Sequence, residues 1–314
     1  MIVDQNSSIN IARLAAQRWY YSSAKRVLLT QLVLDAPVIV GIGLCVALLR
    51  SPTVMGWVGL KIYDGGWVLA AAGISVALID GLILEQLVQS KKGTAAKIQE
   101  AFDCDVLDIA WNSVLVGREA DIEQILEASQ KLLASQNSPS AFRDWYPASV
   151  AELPIKGARF VCQRESLSWD ANLRSKFISR LGILTVTIFA ILFVLGMAGD
   201  FSMRNFAQSV LAPSIPIFGL TLRQLIANQK TITETRELRT TVDDLIGRFL
   251  HDQIDTEQGE ARSRNVQDAI YMHRKAAPLL PDWFYGREKI RSERIAVQAV
   301  ERLVEQYRDG LSKT

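Results

Sequence analysis

Apolar residues along this chain are gathered into long blocks more than spread along single faces. Leu28–Leu49 is 22 residues long with one charge, Asp35, and Gly66–Val88 is 23 residues long with Asp80 inside it and Glu85 near its end. An apolar helix needs about 20 residues at about 1.5 Å each to cross a ~30 Å hydrocarbon core, so both segments are predicted to span a membrane. The link Arg50–Gly65 is short and turn-rich, which makes the two spans antiparallel. A second hairpin repeats the plan. Leu181–Gly199 contains no ionisable residue, and Phe206–Asn228 carries Pro213 and Pro216 and holds Arg223 near its end. Prolines are tolerated in a span when neighbouring helices satisfy the freed backbone groups. The fold class predicted is an all-α membrane protein with four transmembrane helices in two hairpins and helical cytoplasmic regions. The competing reading is a soluble protein with unusually apolar core helices.

Outside the blocks the period is that of amphipathic helices. Ile9–Arg26 places Ile11, Leu14, Ala15 and Trp19 on one face, then brings Trp19, Tyr20 and Tyr21 up to the first span with Lys25 and Arg26. This reads as an interfacial anchor, and Trp169, Arg174, Lys176, Phe177 and Arg180 repeat it before Leu181. Glu119–Ala134 is predicted as a helix with Ile122, Ile125, Leu126, Leu132 and Leu133 on one side. Three- and four-residue spacings from Leu222 to Phe249 extend the fourth span. Phe206–His251 is thus expected as one helix of about 70 Å, broken at Gln258–Arg262. Asn265–Lys275 and Arg287–Leu311 are further predicted helices. The chain then divides into an N-terminal helix (1–27), hairpin 1 (28–88), a central helical region (89–180), hairpin 2 (181–228) and a C-terminal helical region (229–314).

Charge sets the orientation. Lysine and arginine number four before the first span, twelve in the central region and sixteen from Arg223 onward, against three in the two hairpin turns. The positive-inside rule places both termini and the central region in the cytoplasm. The 49% hydrophobic content fits this picture, and a net charge of only +2 leaves no global basic field for a nucleic-acid duplex. Cys45, Cys104 and Cys162 are far apart, and the N-terminus lacks a secretory h-region.

No Walker loop, GxGxxG, GxSxG or HExxH is present, so the sequence predicts neither an enzyme nor a cofactor. Asp103 and Asp105 are either half of a metal site or a solvated acidic cluster; without a third ligand at suitable spacing, no metal site is predicted. Asp35 and Asp80 lie at matched depth, about 11 Å inside the cytoplasmic ends of their spans at about 1.5 Å per residue. They are candidate pore-lining residues, since intramembrane acids face bundle interiors or water; the alternative is that they reach back to the interface. Trp with Arg can stack a base and hold a phosphate. Arg159, Arg164, Trp169, Trp111, Asn112 and Trp145 are therefore candidates for ligand binding, although the same clusters also build ordinary cores.

FDCDVLDIAWN after the first hairpin, DWYP and CQRESLSWDANLR before the second, and PDWFYGREKIRSE near the C-terminus resemble the SMODS-associated 4TM effector family of pore-forming effectors. QRWYYSSAK before the first span and the two-hairpin layout extend the resemblance over nearly the whole chain. One departure is Ile109-Ala110-Trp111, where the family pattern has Leu-Pro before the tryptophan. The resemblance implies bacterial anti-phage defence. A neighbouring enzyme makes a cyclic-nucleotide second messenger, which activates the effector as a homo-oligomer in the bilayer of the inner membrane. The competing class is a membrane-anchored scaffold or sensor without a pore. A transporter is a third option, disfavoured by so few spans.

Overall fold

The structure is a computed structural model, and it describes residues 4–33, 55–57, 59, 61, 66–135, 139–198 and 212–311. Among these residues the ordered elements are helical. Helix α1 spans Ser8–Val33. Helix α2 (Gly66–Ile79) passes through a π-helical turn, Asp80–Leu84, directly into α3 (Glu85–Val106). A short α4 (Ser113–Val116) and α5 (Ile122–Ser135) follow, then 3₁₀ turns at Pro139–Phe142 and Ala148–Glu152. Three long helices complete the order with a shorter one between them: α6 (Ile155–Ala198), α7 (Ala212–Leu250), α8 (Thr256–Ala276) and α9 (Asp282–Leu311).

Contacts divide the chain into two compact units, one of Met1–Ser22, Lys91–Leu181 and Gln224–Thr314, the other of Ser23–Ser90 and Gly182–Arg223. Among the described residues, α1, the continuous α2–α3 run, α6 and α7 each contribute residues to both units without a break.

The first unit has an interior. One apolar cluster draws Leu14 from α1, Phe102 and Val106 from α3, Phe160 and Val161 from α6, Val242 and Leu245 from α7, Val266 and Ile270 from α8, and Val300 and Val304 from α9. Helix α6 approaches α7 closely through Gly157, where a Cβ would lie 2.5 Å from the Phe249 ring. Chain reversals fall on aspartates with positive φ, Asp108 after α3 and Asp252 after α7; Asp tolerates the left-handed region better than most residues. Asp255 then caps α8, accepting from Gln258 N at 2.7 Å, and His273, Arg274 and Lys275 oppose the dipole at its other end. The expected break at Gln258–Arg262 is therefore displaced: those residues are helical, and the chain turns at 251–255 instead. In α5, Ile125 and Leu132 are buried as expected. Ile122 and Leu126 are exposed, because the buried face also takes in Ala128 and Ser129.

The second unit is apolar at its surface. The α6 stretch after Leu181 exposes Ile183 (65%), Val186 (69%) and Val194 (62%), and Phe189 meets Phe218 of α7 with centroids 5.7 Å apart. Such exposure in water would be costly. One run among the described residues, Ala70–Val106, is long and apolar enough to cross a membrane by length and composition. Most of Leu28–Leu49 and the first residues of Phe206–Asn228 lie outside the described residues.

Candidate functional site

Two polar constructions stand out, one in each unit. In the apolar unit, Asp80 opens the π-helical turn, and its Oδ1 is buried with no hydrogen-bond partner among the described residues. A π turn accommodates one extra residue and is commonly a functional feature. Asp35, the other acid of the expected pair, lies outside the described residues.

In the charged unit, α3, α6 and α8 enclose a hub of buried polar side chains. Glu100 and Asp103 stand one turn apart on α3 and are 0% and 1% exposed. Gln267 bridges them, donating from Nε2 to Glu100 Oε2 at 2.9 Å and to Asp103 Oδ2 at 3.0 Å. Arg264 donates to Glu100 Oε1 at 2.6 Å and to Ala110 O at 2.8 Å. Arg274 pairs with Asp103 Oδ2, and the Tyr146 hydroxyl donates to Asp103 Oδ1 at 2.8 Å. Gln163 of α6 joins from below, donating to Ser263 O at 2.8 Å. Two acids against two guanidiniums balance the charge.

Titration follows from this geometry. Burial, then the Asp103 charge, raises the Glu100 carboxyl above its ordinary range against the pull of Arg264 and Gln267. Burial and Asp103 push the Tyr146 phenol well up. Burial, with Glu100 adding to it, pushes the Cys104 thiol up to about 12, and burial holds Cys162 well above its usual value; neither is a thiolate nucleophile.

A second cluster sits where α6, α7 and α8 meet. Asp170 Oδ2 accepts from Arg174 Nε at 2.7 Å and from His273 Nε2 at 2.8 Å. Arg174 also donates to Asn228 Oδ1 at 2.8 Å and to Pro278 O at 2.9 Å. Burial would raise the Asp170 carboxyl, but the charge of Arg174 and the His273 bond hold it well below the usual carboxylate range.

The sequence-nominated ligand residues serve separate structural bonds. Arg159, 3% exposed, donates to the carbonyls of Leu107 and Asp108 and lies 3.7 Å from Glu260. Arg164 pairs with Asp243. Trp111 Nε1 donates to Gly117 O at 2.9 Å, and its neighbour Asn112 caps α4 while donating to Asp268 at 2.9 Å. Trp145 packs edge-on to Phe102, and Trp169 edge-on to Tyr285 with centroids 5.0 Å apart. Trp111 and Asn112 are thus brought together; Trp145, Trp169 and the two arginines serve separate contacts. A ligand at either arginine would have to displace the bonds just named. Asp103 departs from the solvated cluster expected of it, whereas Asp105 stays near the surface with Arg13 at 3.0 Å. Among the described residues no three His, Cys, Asp or Glu side chains group as a metal site requires.

Sequence periodicity missed the hub because polar residues at helical spacing read as a solvated face. The available signal was pairing: Glu100/Asp103 on α3, and Arg264, Gln267, Tyr271 and Arg274 at three- and four-residue spacings on α8.

The chain thus belongs to a class of all-helical proteins in which an apolar-surfaced unit shares unbroken helices with a charged, internally bonded one. Over residues 2–303 the chain matches the SMODS-associating 4TM effector domain, and it belongs to that family. It is similar to a probable CBASS effector molecule of Bacillus cereus (strain VD146), with 26% identity over 306 residues covering 95% of this chain and 96% of that protein. No solved structure matches the chain.

Proposed function

We propose that this protein is a signal-gated effector of anti-phage defence that permeabilises the bacterial inner membrane when a cyclic-oligonucleotide second messenger activates it. It acts without catalysis, as a homo-oligomer with four spans in two hairpins and both termini in the cytoplasm. The observation that supports this reading is continuity. Among the described residues, α1, α2–α3, α6 and α7 each run from apolar surface into the ion-paired unit without a break. The shared helices, on this reading, carry a rearrangement of the charged unit into the apolar one. On this reading Asp80, with Asp35, faces water in the open assembly and favours cations.

The test is dye release from vesicles containing the full chain, challenged with a panel of synthetic cyclic di- and trinucleotides. Release with one messenger and not with its linear form supports the proposal; intact vesicles with every messenger, despite insertion, refute it. A cysteine placed at exposed Arg118 should react with an impermeant maleimide only in inside-out membranes. Asp80→Asn should shift the reversal potential in planar bilayers toward weaker cation preference. An unchanged potential with normal currents removes Asp80 from the path. The membrane-anchored scaffold draws support from Leu181–Gly199, which has no ionisable residue to face water. It predicts insertion and messenger binding with no release.

A further inference from the structure

Sequence periodicity nominates Trp19 and Trp169 as interfacial anchors, and the structure gives both other work. Trp19 is half-buried, packs edge-on to Tyr20 and carries Lys91 and Lys131 over its ring at 5.6 and 5.4 Å. Trp169 packs against Tyr285 beside a small core of Leu173, Leu280 and Phe284. Among the described residues of the charged unit, the exposed indole is Trp283 in the first turn of α9, at 69%.

Its surroundings fix its position. Trp283 stands perpendicular to its neighbour Phe284, with centroids 5.8 Å apart. Phe284 is 1% exposed, meets Phe177 of α6 at 5.3 Å and lies under the Arg180 guanidinium at 5.2 Å. One turn further along α9, Glu288 accepts from Lys176 Nζ at 2.9 Å and from Arg180 Nη2 at 2.5 Å. The first two turns of α9 are thereby clamped to residues 176–180 of α6. Arg180 is the last residue before the uncharged run Leu181–Gly199, whose first turn exposes Ile183 and Leu184. At about 1.5 Å per residue, the apolar surface begins within about one helical turn of the clamp.

We infer that Trp283 is a membrane-interface anchor, inserted among the headgroups and upper acyl chains of the bilayer that receives Leu181–Gly199. The inference rests on the membrane reading proposed above. An exposed indole next to Phe284, which packs on Phe177 and Arg180 just before the apolar run, fits the amphipathic belt where Trp is favoured. Glu288 neutralises much of the charge of Lys176 and Arg180, so the indole's burial is the main contribution and neutral lipid suffices.

The experiment uses the full chain in phosphatidylcholine vesicles, as wild type and as Trp283→Phe, with lipids brominated near the glycerol or near the chain end. The difference emission between the two proteins isolates Trp283. It should be blue-shifted and quenched about twofold or more strongly by the shallow bromine than by the deep one. If both proteins float with the vesicles but the difference spectrum is that of water-exposed indole and unquenched, the anchor inference is overturned alone. If neither floats, the membrane reading fails and takes the inference with it.

Discussion

Replacing Asp103 with asparagine tests whether the polar hub holds the charged unit together. Asp103 is 1% exposed and Arg274 is 12% exposed at the side chain. The substitution keeps size but removes the charge that offsets Arg274, and it turns an amide donor toward groups that themselves donate. Removing one partner of a buried ion pair costs about 3–5 kcal/mol, because the other charge is left uncompensated. One lost hydrogen bond among those from Tyr146 and Gln267 adds about 1 kcal/mol. For a unit of roughly 200 residues, about 2–4 °C per kcal/mol gives a fall in melting midpoint of about 8–24 °C. The assay is thermal unfolding in detergent, followed by far-ultraviolet circular dichroism and tryptophan emission. Arg118→Ala is the control: its pair with Asp121 is exposed at 90% and 65%, so it should cost less than about 1 kcal/mol. The double variant Asp103→Asn/Arg274→Met removes both charges and should recover more than half of the loss. A single-variant fall under about 3 °C, or a double variant as unstable as the sum of the singles, would refute the reasoning.

Three other outcomes are expected. Gly157→Ala puts a Cβ 2.5 Å from the Phe249 ring and should cost about 1–3 kcal/mol, with Phe249→Leu restoring the midpoint. Proline at exposed Thr233 or Thr241 removes a helical hydrogen bond from α7 at a cost of about 3 kcal/mol. Membrane insertion should persist while messenger-driven dye release is lost, and unaltered release by both variants would show that α7 transmits nothing. Asp170 is held below its ordinary range when folded, so its contribution is present above the unfolded carboxyl value near ~4 and is lost as pH falls below it. The midpoint difference between wild type and Asp170→Asn should therefore shrink between about pH 5 and pH 2; a constant difference contradicts the assignment.

Much of the helical plan was legible because block hydropathy and helical spacing are local properties. The long helix ending near Leu250 followed from the lack of a breaker. The turn after α7 was not legible, because Gly259 looks like a breaker while Asp252, with its positive φ, does not. The π turn at Asp80 has no sequence signature of its own. The ligand-site nominations had the opposite difficulty. Arginine and tryptophan are suited to a nucleotide, but equally to carbonyls and rings of the same chain, and only three-dimensional proximity assigns Arg159 to Leu107 and Asp108. Trp19 and Trp169 matched the interfacial pattern by position in sequence, yet packing consumed them. Trp283 is remote in sequence from any span, and its neighbour Phe284, packed on Phe177 and Arg180, holds it in place.

The run from Gly66 to Val106 places the two polar constructions on one continuous rod. Asp80 in the π turn and Glu100 in the ion-paired hub lie on the same helical run. A π turn carries one residue more than the α-helical register, and shifting that register by one residue corresponds to about 100° of rotation and 1.5 Å of rise. Asp80 therefore sits at the point on this run where its facing can change without unwinding α2 or α3. The hub, by contrast, is built against gradual change: two acids, two guanidiniums and Gln267 lose several bonds together if α3 turns relative to α8. A densely bonded hub and an adjustable turn thus lie on one helical run, the arrangement that the gating proposed above would use.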